Sequence, residues 1–158
     1  MLLEAIKSQT HRLHTQVEAD LGIMDDAFTI DDYRRLLGRF LGFIGPWEER
    51  VRAALGAGSP VLVGREKASR LERDLRVLGV PDHEIAALPR CDEVPELGSI
   101  ESALGSLYVF EGATLGGRLI ARRLVERFGP SAPCGFFNSY GEGVGRMWKA
   151  FRVTLSEY

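Results

Sequence analysis

The chain has 158 residues, 45% of them apolar and 27% charged, with a formal net charge of −2. That balance suits one globular domain with a sizeable core and gives no electrostatic reason to expect nucleic acid as a partner. Two cysteines far apart without CxxC spacing, Cys91 and Cys134, signal neither a disulfide framework nor a zinc site.

Residues 2–21 read as an amphipathic helix. Leu3, Ile6, Leu13, Val17 and Leu21 recur at near-helical intervals, with no glycine or proline between them. Gly22 and Asp25-Asp26 mark a break. A second helix starts near Thr29–Asp32, where Thr29 or Asp31 can cap it, and runs to about Leu55. Gly45-Pro46 in its middle predicts a kink. Leu36, Leu37, Phe40, Leu41 and Phe43 make it the most apolar helix, hence the expected centre of the domain.

Residues 64–79 read as a charged amphipathic helix with Leu71, Leu75 and Leu78 inward. Pro81 opens a short helix. A loop over 88–98 leads into a long helix from about Ser99 to Phe128, which Gly129-Pro130 ends. Residues 131–143 read as loop, and a last helix runs from about Gly145 to Tyr158. No period-two strand pattern occurs. The expected class is all-α, a single domain of about six helices.

The long helix carries an anomaly. Gly105, Gly112, Gly116 and Gly117 lie in its interior, where each glycine costs about 1 kcal/mol relative to alanine. At about 100° per residue, Gly112 and Gly116 fall within roughly 20° of Gly105. Tyr108, Val109, Leu119 and Ile120 border that stripe, while Glu111 and Arg118 are directed away from it. A helix face stripped of side chains admits either a second helix or a flat ligand at close range.

His14 in the first helix is the sharpest candidate for chemistry. Glu18 follows one turn later, within reach of the histidine's outer nitrogen. Lys7 stands seven residues earlier, about 10.5 Å along the same face. Cation, imidazole and carboxylate in line suit a planar iron cofactor with an acidic edge. His11 is one turn before His14, but a two-metal site needs further inward Glu-x-x-His pairs that PDHE around His83 does not supply.

Together, the His14 line and the glycine stripe resemble heme oxygenase. The matching text is Leu13-His14-Thr15-Gln16-Val17-Glu18 for a proximal helix and Gly112-Ala113-Thr114-Leu115-Gly116-Gly117 for a distal one. Leu107-Tyr108-Val109-Phe110-Glu111-Gly112 and Trp148-Lys149-Ala150-Phe151 are similar to the bacterial branch found beside bacteriophytochromes.

The resemblance implies a single helical domain with heme between the first and the glycine-rich helices. It implies opening of heme to biliverdin, ferrous iron and carbon monoxide, using oxygen and an external electron donor such as ferredoxin or another reductase. His14 would be the iron ligand and Glu18 its partner. Lys7 and Arg152 would meet propionates. Gly112 and Gly116 would admit the backbone to the oxygen-binding face, with Tyr108 and Gly117 beside the heme. Many animal-type members carry an aspartate where this chain has Ala113, which leaves Thr114 as a candidate to hold distal water. The family normally continues with another helix after the Trp148 helix, so a bundle lacking that last helix is expected.

Two rival readings keep the same residues: a non-catalytic heme-binding or heme-sensing protein, and a helical interaction module whose glycine stripe packs another helix. The N-terminus lacks the long apolar stretch of a signal peptide, and no run reaches the roughly 20 apolar residues of a membrane span. A cytoplasmic protein without a membrane anchor is expected.

Overall fold

Thr29 starts the central helix by a reciprocal cap. Its side chain accepts from the backbone N–H of Asp32, and the Asp32 carboxylate accepts from the Thr29 N–H at 2.8 Å. Such a cap contributes about 1 kcal/mol. The computed structural model describes residues 11–13, 15–17 and 19–157. Lys7, His14 and Glu18, together with Leu3 and Ile6, lie outside the described residues.

Residues 11–13, 15–17 and 19–21 are helical (α1). They are followed by α2 (Ile30–Leu55), α3 (Ala68–Val77), α4 (Asp82–Ala86), α5 (Ile100–Phe128) and α6 (Val144–Leu155), with short 3-10 turns at Pro60–Leu62 and Gly141–Gly143. Among the described residues there is no strand. The all-α expectation holds.

Helix α2 is the hub, packing against both α3 and α5 while α6 packs on α5. Its inward side chains are Tyr33, Leu37, Ile44, Trp47 and Val51, all buried. The helix runs unbroken through Pro46, so the proline does not end it. Ser99 caps α5 with a second reciprocal pair, and Gly129 ends it at φ 92°, a left-handed value that favours glycine.

An aromatic cluster closes one end of the domain. Tyr33 lies within 6.5 Å, centroid to centroid, of Phe28, Phe128 and Phe137, and Phe40 packs on Phe136 at 5.3 Å. The Tyr33 hydroxyl donates to the Pro133 carbonyl at 2.7 Å. Buried Asp74 of α3 accepts from the Gly135 and Phe136 N–H groups at 3.0 and 2.8 Å. These bonds fasten the glycine-rich loop before α6 onto α2 and α3.

Burial raises the Asp74 carboxyl above its ordinary range, against the lowering effect of the Phe136 and Gly135 amides. A carboxyl with a raised folded pKa binds its proton more tightly in the native state than in the unfolded chain. Its contribution to stability therefore falls as pH climbs from 3.8 through the folded value. Asp74→Asn, which cannot titrate, should lose less stability than the parent across that window. Urea midpoints measured as a function of pH test this, and identical slopes would contradict it.

One expectation is corrected. The helix read over 64–79 begins only at Ala68, because Glu48 of α2 accepts from the Lys67 and Ala68 N–H groups and supplies the cap. Leu13 and Val17, on the apolar stripe of the first helix, are 67% and 54% exposed. They find no packing partner in the core, which begins at Leu21 and Ile23.

Candidate heme site

Helix α5 divides into two faces. Ala103, Leu104, Leu107, Gly117, Ala121 and Leu124 are buried against the core. The opposite face carries Gly105, Val109, Gly116 and Leu119, all exposed. Val109 and Leu119 are 66% and 62% exposed. A Cβ added to Gly105 or Gly116 would meet no atom of the described residues within 4 Å. Among the described residues, no helix packs on these glycines. They leave an open strip with apolar borders, about 16 Å from Gly105 to Gly116.

The other two glycines differ. Gly117 points into the core, where a Cβ would lie 2.2 Å from the Phe137 carbonyl oxygen. Its absent side chain is explained by that close approach. Gly112 faces the indole of Trp148 on α6, 3.7 Å from where its Cβ would be. Tyr108 stands beside it, with its ring 5.1 Å from that of Trp148. Ala113 is exposed, and the Thr114 hydroxyl donates to its own helix at the Glu111 carbonyl, 2.6 Å away. Arg152 is exposed on α6, one turn beyond Trp148.

Glu111, directed away from the glycine stripe as expected, is fully buried on the opposite face of the helix. Its carboxylate forms a tight ion pair with Arg65, accepts from the Lys67 ammonium at 2.7 Å, and accepts from the Tyr140 hydroxyl at 2.9 and 3.0 Å. Arg65 and Lys67 are themselves buried. Burial pushes the Lys67 ammonium below the ordinary lysine range, against the pull of Glu111 and Glu48. Burial, then the Glu111 charge, pushes the Tyr140 phenol up, so it stays a donor. A carboxylate with three donors is stable where a lone one is not. The sequence does carry a signal. Leu104, Leu107 and Glu111 sit at i, i+3 and i+7, so the carboxylate continues an apolar stripe.

The turn after α1 is fixed to the last turns of α5. Arg123 donates to the Asp26 carboxylate at 2.6 Å, and Arg127 donates to the Asp25 carbonyl at 3.0 Å and to the Asp26 carbonyl. The end of α1 is thereby held at the same end of α5 toward which the open strip leads. Cavities among the described residues lie elsewhere. One of about 440 Å³ is lined by Asp20, Phe28, Asp32, Arg35, Leu36 and Arg39. One of about 140 Å³ lies between α2 and the 57–66 segment. Neither includes the open face of α5, and the charged lining of the first does not suit an apolar ring.

The heme oxygenase family profile matches residues 1–157. The chain belongs to the heme oxygenase family. It is also similar to a heme oxygenase of Xanthomonas campestris pv. campestris (strain 8004), 33% identical over 132 residues that cover 80% of this chain and 73% of that protein. No solved structure matches. Family membership makes heme the substrate and heme degradation the general activity of this heme oxygenase. The open strip fits that substrate: it is flat, apolar at its borders and free of the Cβ atoms a macrocycle would strike. Among the described residues, no helix is long and apolar enough to cross a membrane.

Proposed function

We propose that this heme oxygenase opens heme to biliverdin, ferrous iron and carbon monoxide in the cytoplasm. Oxygen is the co-substrate, and electrons come from an external donor such as ferredoxin or another reductase. The observation that carries the reading is the strip at Gly105 and Gly116, where no described residue lies within 4 Å of a built Cβ, in a chain whose residues 1–157 match the family.

In this reading His14 ligates the iron and Glu18 accepts its outer N–H, fixing the ring and raising its basicity. Lys7 and Arg152 pair with the propionates. Tyr108 stands at one border of the slot. Gly112 and Gly116 bring the α5 backbone against the distal face, where access and polarity decide the fate of bound oxygen. The tether at Asp25 and Asp26 supports the pairing of helices. Seven residues separate Leu21 from His14 in sequence, as seven separate Arg123 from Gly116. Gly117 takes no part beyond its packing against Phe137. The likeness of Leu107–Gly112 to the phytochrome-associated branch supports a bacteriophytochrome as the acceptor of the bilin.

Hemin titration followed by visible spectroscopy tests the reading. The parent chain should give a Soret band, and His14→Ala should shift or weaken it and bind hemin roughly tenfold less tightly, a loss of about 1.4 kcal/mol. Reductant and oxygen should then produce bilin absorbance. A stoichiometric hemin complex that yields no bilin would favour heme binding without turnover. That alternative draws on Ala113 and on Thr114, whose hydroxyl is committed to the Glu111 carbonyl.

A further inference from the structure

The open strip of α5 is walled asymmetrically. Among the described residues, one flank carries Val109, Ala113 and Ile120, none of them aromatic. The other carries Leu119, Tyr108 and, reaching across from α6, Trp148. Among the described residues, the strip is pinched at its middle. A Cβ on Gly112 would meet Trp148 Cη2 at 3.7 Å and Cζ3 at 3.9 Å, while Gly105 and Gly116 on either side meet nothing within 4 Å.

Trp148 is also held in place from behind. Its ring packs on Tyr108 at 5.1 Å and on the fully buried Phe151 at 6.2 Å. The Arg65 guanidinium lies over the Phe151 ring at 5.1 Å and donates to the carbonyl of Met147, the residue before Trp148, at 3.3 Å. Arg65 is in turn paired with Glu111, the residue before Gly112. One buried ion pair thus fixes both sides of the Trp148–Gly112 contact.

A planar ligand lying on this strip meets a rigid aromatic edge on one flank and none on the other. Such a stop acts on rotation within the plane, which decides which edge of a ring faces the glycines. We propose that Trp148 is a specificity-determining residue of this heme oxygenase, the wall that sets the in-plane seat of heme and hence which edge is opened. This inference rests on the heme-degrading reading above.

The test uses Trp148→Ala and the milder Trp148→Phe, each loaded with hemin. Proton NMR of the ferric cyanide complex reads the in-plane seat from the heme methyl resonances without turnover, and product chromatography reads the bilin isomers. The parent should show one dominant methyl pattern. Trp148→Ala should show a second pattern and a severalfold change in isomer ratio, with Trp148→Phe restoring most of the parent pattern. A Trp148→Ala complex with the parent's methyl pattern overturns the proposal and leaves the heme reading standing. Failure of the parent chain itself to form a hemin complex overturns both. If Trp148→Ala does not fold, Trp148→Leu takes its place, keeping bulk without the aromatic edge: a second methyl pattern supports the proposal and the parent's pattern alone overturns it.

Discussion

Glu111→Ala is expected to cost about 3–5 kcal/mol of folding stability, because it leaves buried cations without their carboxylate. A domain of this kind has about 5–15 kcal/mol in total. At this chain length each kcal/mol moves the melting temperature by about 2–4 °C, so a fall of roughly 6–20 °C should follow. Arg118→Ala, at an exposed position on the same helix, should change stability by no more than about 0.5 kcal/mol. Glu111→Gln keeps the shape and should be milder. Its deficit should shrink as pH rises. Glu111 holds the Lys67 pKa up against burial, so removing its charge lowers the folded pKa further, and the variant gains more stability than the parent as pH climbs toward 10.5. Urea and thermal unfolding of the three variants measure all of this. A Glu111→Ala protein as stable as the parent would show that the network is not buried as described.

The second large effect separates two adjacent residues. Gly116→Ala places a methyl group in open space. The ligand-free protein should gain up to about 1 kcal/mol from helix propensity, yet hemin should bind roughly tenfold more weakly, since the methyl group enters the slot. Gly117→Ala should do the opposite. Its Cβ would overlap the Phe137 carbonyl at 2.2 Å, and forcing the loop off α5 costs about 1–3 kcal/mol. Differential scanning calorimetry without heme, followed by hemin titration, gives the four numbers. Unchanged hemin affinity in Gly116→Ala would remove the open strip from the site.

These two positions also show how far the sequence could be read. Helix periodicity placed the glycines of α5 on one stripe, and the match of that stripe to His14 and Glu18 carried the family. Periodicity could not show that Gly117 lies off the stripe for its own reason, because its neighbour is a carbonyl twenty residues further along, and such a contact leaves no local trace. The caps were legible: Thr29 and Ser99 use side chains a few residues away. The start of α3 was not, since its cap comes from Glu48 on another helix. The direction of Glu111 away from the glycine stripe was legible, but its burial was not drawn from its spacing to Leu104 and Leu107, which put it among buried leucines. The partners Arg65 and Lys67 were hidden in a segment whose charge looked like an ordinary solvated surface.

The uncovered hydrocarbon of Leu13, Val17, Val109 and Leu119 has a consequence for the lifetime of the protein. Without substrate those side chains face water, and exposed apolar faces invite self-association. A ligand that binds only the folded form stabilises it by about 2.7 kcal/mol at a concentration a hundredfold above its dissociation constant. Degradation of transiently opened chains tracks that equilibrium when reclosing is fast. Bound heme is therefore expected to lengthen the life of the folded chain: resistance to proteolysis should rise with hemin and fall again when the ligand leaves.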